Sequence, residues 1–232
     1  MIINCLSTGS SGNAYIISDG ATNILIECGI SYKKILQLHN YKKIDLCLIS
    51  HEHKDHCKSV NDILRNGIDT YMSQGTRHFL QLEERHNLHT IKAQNTFAYQ
   101  TFNILPFDVV HDVAEPLGFL VHSTLTNEKL VYITDTVYCK YKFSGVTHWM
   151  VEINFVKEQI DENAKINTNL GTLRNRIVKN HMSLDVAKDF FKANDLSKTQ
   201  EIWLLHLSDN NSNEQKILEE IMQATGKYVI IP

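Results

Sequence analysis

Apolar residues in this chain fall in short blocks, most of them too brief for a helix and bounded by polar or glycine-containing turns. Met1 to Leu6, Ala14 to Ser18, Asn23 to Glu27, Leu46 to Ile49 and Thr70 to Ser73 read as strands. Apolar positions at helical spacing mark Tyr32 to Leu38, Lys58 to Asn66 and Thr76 to Glu84. The second half repeats the theme. Strands are predicted near Asn103 to Val110, Gly118 to His122, Leu130 to Thr134, Trp149 to Glu152 and Ile202 to Leu205. Helices are predicted near Ser183 to Ala193 and Asn213 to Gln223, and a last strand at Tyr228 to Ile231. The pattern is that of an α/β protein: an αββα sandwich, two mixed sheets flanked by helices. No linker, repeat or low-complexity segment interrupts it, so one domain over residues 1–232 is expected.

Composition narrows the class. The chain has 232 residues, 43% of them hydrophobic, enough for a large core. No apolar stretch approaches the roughly 18–20 residues of a membrane span, and no signal peptide is expected at Met1 to Leu6. Cys5, Cys28, Cys47, Cys57 and Cys139 are scattered and odd in number, without a C-x-x-C. That suits a reducing, cytoplasmic setting better than a disulfide framework. The formal net charge is -3, with twelve histidines. Such a balance offers nucleic acid no general attraction, so a polyanion must be drawn by a local patch or by metal ions.

The chemistry concentrates in Ile49-Ser50-His51-Glu52-His53-Lys54-Asp55-His56. Three histidines and an aspartate follow a buried strand within six positions. Imidazole nitrogen and carboxylate oxygen are the donors that a borderline divalent ion such as zinc takes. In extended backbone His51 and His53 point the same way, and Asp55 and His56 follow after a turn. Cys57 adjoins the group and is expected to be a passive thiol.

H-x-H-x-D-H after an apolar strand resembles the signature of the metallo-β-lactamase fold hydrolases. That resemblance implies three further metal ligands downstream: a His, an Asp and a His. His111 after Phe107-Asp108-Val109-Val110, Asp135 after Leu130 to Thr134, and His206 after Ile202 to Leu205 each stand at a strand end in the required order. Other segments resemble the YycJ/WalJ branch of this superfamily. Ser7-Thr8-Gly9-Ser10-Ser11-Gly12-Asn13 is similar to its S-G-S-S-G-N turn, although a tight hairpin turn would read the same way. Ile24 to Gly29 is similar to I-L-I-D-C-G, with Glu27 in place of Asp. Asn180-His181-Met182-Ser183 is similar to G-H-L-S, and His206 to Asn211 to H-L-S-x-x-N-N. Lys157 to Lys179 is the least familiar part, an insertion or a lid.

Ser183 reads as the N-cap of the helix that follows, which puts His181 just before a helix N-terminus, where anions are favoured. His181 then either contacts phosphate and protonates a leaving oxygen, or only orients the loop. Arg174, Arg176 and Lys179 either line the path of the phosphate or form one solvated helix face. Glu152 either supports the metal ligands from behind or simply ends a strand.

The resemblance implies two divalent metal ions about 3.5–4 Å apart sharing Asp135, zinc first and manganese second. His51, His53 and His111 would complete one site, and Asp55, His56 and His206 the other. The expected reaction is hydrolysis of a nucleic-acid phosphodiester by a two-metal hydroxide mechanism, as a 5′-to-3′ DNA exonuclease. Asp55, Asp135 and His181 are its catalytic candidates. A phosphodiesterase acting on cyclic nucleotides is the alternative, and a metal-binding protein without catalysis is the non-enzymatic one. The partner is DNA or a nucleotide phosphodiester, not a membrane, and the reading admits a homodimer.

Overall fold

The computed structural model describes residues 1–40, 42–166, 171–208 and 210–232. The chain forms two compact units. The first comprises Met1–Asp108 and Val113–Glu128, the second Val109–Asp112 and Lys129–Pro232.

In the first unit β1 (Ile2–Ser7), β2 (Ala14–Ser18), β3 (Asn23–Ile26), β4 (Leu46–Leu48), β5 (Asp69–Ser73) and β6 (Leu88–Ile91) pair in that order. The first three strands are antiparallel, and β3 to β6 are parallel. Every residue of β4 is buried, as expected of a parallel strand covered on both faces. The helices of this unit are α1 (Tyr32–Leu38), α2 (Lys54–Cys57), α3 (Val60–Arg65) and α4 (Gln74–Phe79). Ile35, Val60, Ile63 and Leu64 from α1 and α3 share a core with Ile16, Leu25, Cys47 and Ile49. Each such aliphatic side chain contributes about 1.5–3 kcal/mol on burial. Antiparallel β7 (Phe97–Tyr99), β8 (Phe102–Asp108) and β9 (Leu117–Ser123) complete the unit.

In the second unit β10 (Lys129–Ile133), β11 (His148–Glu152), β12 (Glu201–Leu205) and β13 (Tyr228–Ile230) are parallel neighbours. Its helices are α5 (Lys157–Ile166), α6 (Gly171–Asn180), α7 (Leu184–Lys192) and α8 (Glu214–Thr225). Ser183 caps α7 as its sequence predicts, accepting from the Val186 N–H. Phe190 and Phe191 of α7 meet the buried Trp149 of β11 edge-on, at 5.6 and 5.9 Å between ring centroids. The strands thus make two mixed sheets flanked by helices, the class predicted.

Several predicted elements differ in detail. The helix expected at 76–84 starts at Gln74, because Ser73 caps it through the Thr76 N–H. It stops at Phe79, since Gln81 turns left-handed at φ 51° although its neighbours are good helix formers. The helix expected at 58–66 is α3, Val60–Arg65, and the short α2 precedes it over the ligand run. Strands β6 and β7 were not foreseen. The segment 157–179 is largely helical, as α5 and α6, and Asn167 to Leu170 lie outside the described residues, as does Asp209 of the H-L-S-x-x-N-N motif.

The turn before β2, the end of β3 and the ligand run interlock through their backbones. The Asn13 N–H donates to the Asp55 carbonyl at 2.7 Å, the Cys28 N–H to the His56 carbonyl at 2.7 Å, and the Gly29 N–H to the Asn13 carbonyl at 2.8 Å. The approach is close enough to require glycine. A Cβ on Gly29 would stand 1.7 Å from the Asp55 carbonyl oxygen and 2.6 Å from the Asn13 nitrogen. Backbone cannot yield as a flexible side chain does, so Gly29→Ala is expected to destabilise the protein by about 1–3 kcal/mol or more. Denaturant unfolding checks this, and a wild-type midpoint would refute the interlock.

Candidate metal centre

The first unit gathers His51, His53, Asp55 and His56 into one cluster. His51 Nδ1 lies 2.8 Å from the Ser50 hydroxyl, and its Nε2 is 3.1 Å from His53 Nδ1. His53 occupies the N-cap of α2 but makes no capping bond with its ring. The His51 and His56 rings are 4.2 Å apart, and His56 Nε2 is 3.4 Å from Asp55 Oδ2. His51 and His56 are buried, while His53 and Asp55 are half-exposed. The predicted turn at Asp55 and His56 is the short helix α2, which brings both side chains back beside the histidines.

Supporting residues hold this cluster from behind. Asn13, the last residue of the S-G-S-S-G-N turn, sends its amide nitrogen to within 3.2 Å of His56 Nε2 and 3.3 Å of the Asp55 carbonyl. Glu27 is fully buried, accepts from the Ser50 N–H at 3.2 Å and lies 3.6 Å from His56 Nδ1. The Cys57 thiol donates to the Glu52 carbonyl at 3.1 Å, and burial pushes it up to about 12.

The second unit holds a second cluster. Asp135, Glu152, His181 and His206 each offer a donor atom, all within 4.8 Å of one another. His111 belongs to the same unit, with Nε2 3.7 Å from Asp135 Oδ2. The His111 ring is fixed at its other end, where Nδ1–H donates to the Asn180 carbonyl at 3.0 Å. That tautomer leaves a lone pair on Nε2, aimed at a carboxylate. Asp135 Oδ1 is 3.9 Å from His206 Nδ1, and the Asn154 amide nitrogen is 3.2 Å from the same atom. A His111 lone pair facing a carboxylate, on a ring oriented by a backbone carbonyl, with the donors of Asp135, Glu152 and His206 close by, fits a divalent cation.

Glu152 is more than a strand terminus. Its fully buried carboxylate meets His181 Nδ1 at 2.5 Å, the Thr136 N–H at 3.1 Å and His206 Nδ1 at 3.5 Å. Burial raises the Glu152 carboxyl most, but the charge and hydrogen bond of His181 and the hydrogen bond of His206 together hold the group below its ordinary value. Burial likewise presses His181 down, and the charge and hydrogen bond of Glu152 raise it above the ordinary imidazole value. The His181 ring is stacked on that of His206 at 5.6 Å.

Among the cations considered, Arg174 is turned to Asp161, with Nε 2.6 Å from its carboxylate. Arg176 and Lys179 are exposed on α6. The sequence reading did not assign Asn13, Glu27, Asn154 or Asn180 a role. The available signal was a polar residue at the edge of an apolar run, as Glu27 is after Ile24-Leu25-Ile26.

Residues 22–206 match the family described as the β-lactamase superfamily domain. Exodeoxyribonuclease WalJ of Streptococcus pneumoniae is 25% identical over 225 residues, covering 89% of this chain and 81% of its own. Exodeoxyribonuclease YycJ of Bacillus anthracis is 26% identical over 238 residues, covering 93% and 88%. The crystal structure of YhfI from Bacillus subtilis, a metallo-β-lactamase fold protein, superposes with a TM-score of 0.75 at 17% identity, covering 99% of this chain and 95% of that one. The chain belongs to the β-lactamase superfamily, as a metallo-β-lactamase fold hydrolase of the YycJ/WalJ-like branch.

Proposed function

We propose that this chain is a two-metal nuclease that cleaves nucleic-acid phosphodiesters, as a DNA exonuclease working from a 5′ end in the cytoplasm. The observation that carries the reading is the likeness to two proteins named exodeoxyribonucleases over about nine-tenths of the chain. Both units act as one catalytic domain over residues 1–232. His51, His53 and His111 would hold one ion and Asp55, His56 and His206 the other, with Asp135 common to both sets. Five of these seven donors are imidazoles, which favours zinc, with manganese second. Bound ions supply Lewis acidity over the phosphate oxygens and bring the pKa of water towards neutrality.

The protein's own groups supply the remaining steps. Asp55, half-exposed beside His56, orients the attacking water. Glu152 fixes His181 through Nδ1, which directs the other ring nitrogen, Nε2, outward with its proton. That proton goes to the leaving oxygen as the P–O bond breaks. The raised affinity of His181 for its proton supports this role.

Elemental analysis after reconstitution at neutral pH is expected to find close to two transition-metal ions per chain. Asp135→Asn keeps the volume and removes the charge, so it is expected to lose most activity while circular dichroism stays native. Background metal only, or full turnover in that variant, would remove the centre.

His181→Ala is expected to keep both ions and lose on the order of 10²-fold in turnover, the usual scale of general acid catalysis. Loss of metal would make His181 a ligand instead, and unchanged kinetics would leave it structural.

Substrate class is decided by comparing single-stranded DNA, double-stranded DNA, RNA and cyclic mononucleotides at equal enzyme. DNA is expected to be degraded from its 5′ end, with affinity falling steeply as salt rises. Arg176→Ala is expected to reduce that salt slope by about 1, as for one lost phosphate contact. Rapid turnover of a cyclic nucleotide with nucleic acid untouched would replace this reading by the phosphodiesterase one.

A further inference from the structure

Glu52 sits between His51 and His53, at a bend in the ligand run. It does not turn to solvent. The residue is only 4% exposed, and both carboxylate oxygens are engaged. Oε1 accepts from the Ala114 N–H at 2.8 Å, and Oε2 accepts from the Thr76 hydroxyl at 3.2 Å. Thr76 lies in the first turn of α4, and Ala114 is three residues beyond His111 in the chain. Neighbouring bonds join the same segments. The Leu117 N–H donates to the Ser50 carbonyl at 3.0 Å, and the Gly75 N–H to Glu115 Oε2 at 2.8 Å. A Cβ on Gly75 would come within 2.6 Å of the Glu115 Cβ, so the start of α4 and the 113–117 segment are in close contact.

We infer that Glu52 is a positioning residue for the metal centre, fastening the turn that bears His51 and His53 to the segment that follows His111 and to the start of α4. The inference rests on the two-metal reading and adds to it a residue that touches neither ion nor substrate. Surface demands do not explain a glutamate here, because a buried carboxylate with no function in holding backbone would be replaced by an apolar side chain at lower desolvation cost. The geometry also sets a length requirement. An aspartate is one methylene shorter and cannot span from the ligand turn to both Ala114 and Thr76. A glutamine keeps the length, an oxygen for the Ala114 N–H, and an amide that donates to the Thr76 hydroxyl oxygen.

The test is zinc affinity by competition with a chelator, measured on wild type, Glu52→Ala, Glu52→Asp and Glu52→Gln. Thermal unfolding of each metal-free protein and the absorption spectrum of each cobalt-substituted form are recorded in parallel. Glu52→Ala and Glu52→Asp are expected to weaken zinc binding about 10–100-fold, the usual cost of losing a partner that orients ligands. Their cobalt spectra should change while the metal-free proteins still unfold cooperatively. Glu52→Gln is expected to bind within a few-fold of wild type with the wild-type spectrum. Wild-type affinity and spectrum in Glu52→Asp would overturn the inference. So would a glutamine variant as weak as alanine, which would make the charge, not the hydrogen bonds, decisive. If Glu52→Ala does not fold, the Asp and Gln pair still decides. A wild-type protein that binds no metal would instead refute the two-metal reading itself.

Discussion

A carboxylate taken out of water is tolerated only where hydrogen bonds or positive charge replace its hydration, and this chain buries Glu27, Glu52, Asp135 and Glu152 almost completely. Glu27 and Glu52 are satisfied largely by backbone N–H groups, of Ser50 and Ala114. They therefore act as struts for the loops they touch. Glu152 is balanced by His181 together with the Thr136 N–H. The Asp135 carboxylate accepts from the Thr134 hydroxyl, and its neighbours in the second unit include His111 and His206, with Glu152 and His181 beside them. A bound divalent cation would offset that negative charge, which connects the burial pattern to the proposed chemistry.

The backbone carries its own cost at the same positions. Glu27, Asp135 and His206 have φ of 62°, 40° and 54°, in the left-handed region that residues with a side chain seldom occupy. Each follows the end of a strand: β3, β10 and β12. Such conformations cost about 1–3 kcal/mol apiece and persist only where the surroundings overdetermine them. Each of the strands before them has a parallel neighbour and is mostly buried. The absence of a side chain at Gly29 belongs to the same economy, because it lets the Asp55 carbonyl reach the Asn13 N–H.

The candidate donor residues were legible in the sequence because their identity is their chemistry. H-x-H-x-D-H cannot be read in another register, and the strand ends before His111, Asp135 and His206 are marked by apolar runs that bury themselves whatever lies across from them. The two mixed sheets with flanking helices followed from the same runs, as did Ser183 as a helix cap, since capping is local. Partnership was not legible. Asn13 reaches Asp55 and His56, Glu52 reaches Thr76 and Ala114, and Glu152 reaches His181, across separations that no periodicity encodes. Helix α4 ended early for the same kind of reason: its continuation was favourable by propensity, and the left-handed Gln81 turned the chain away. Local preference selects elements and donors, while hydrogen bonds between distant segments, formed only after the chain has collapsed, decide which polar residues hold those donors in place.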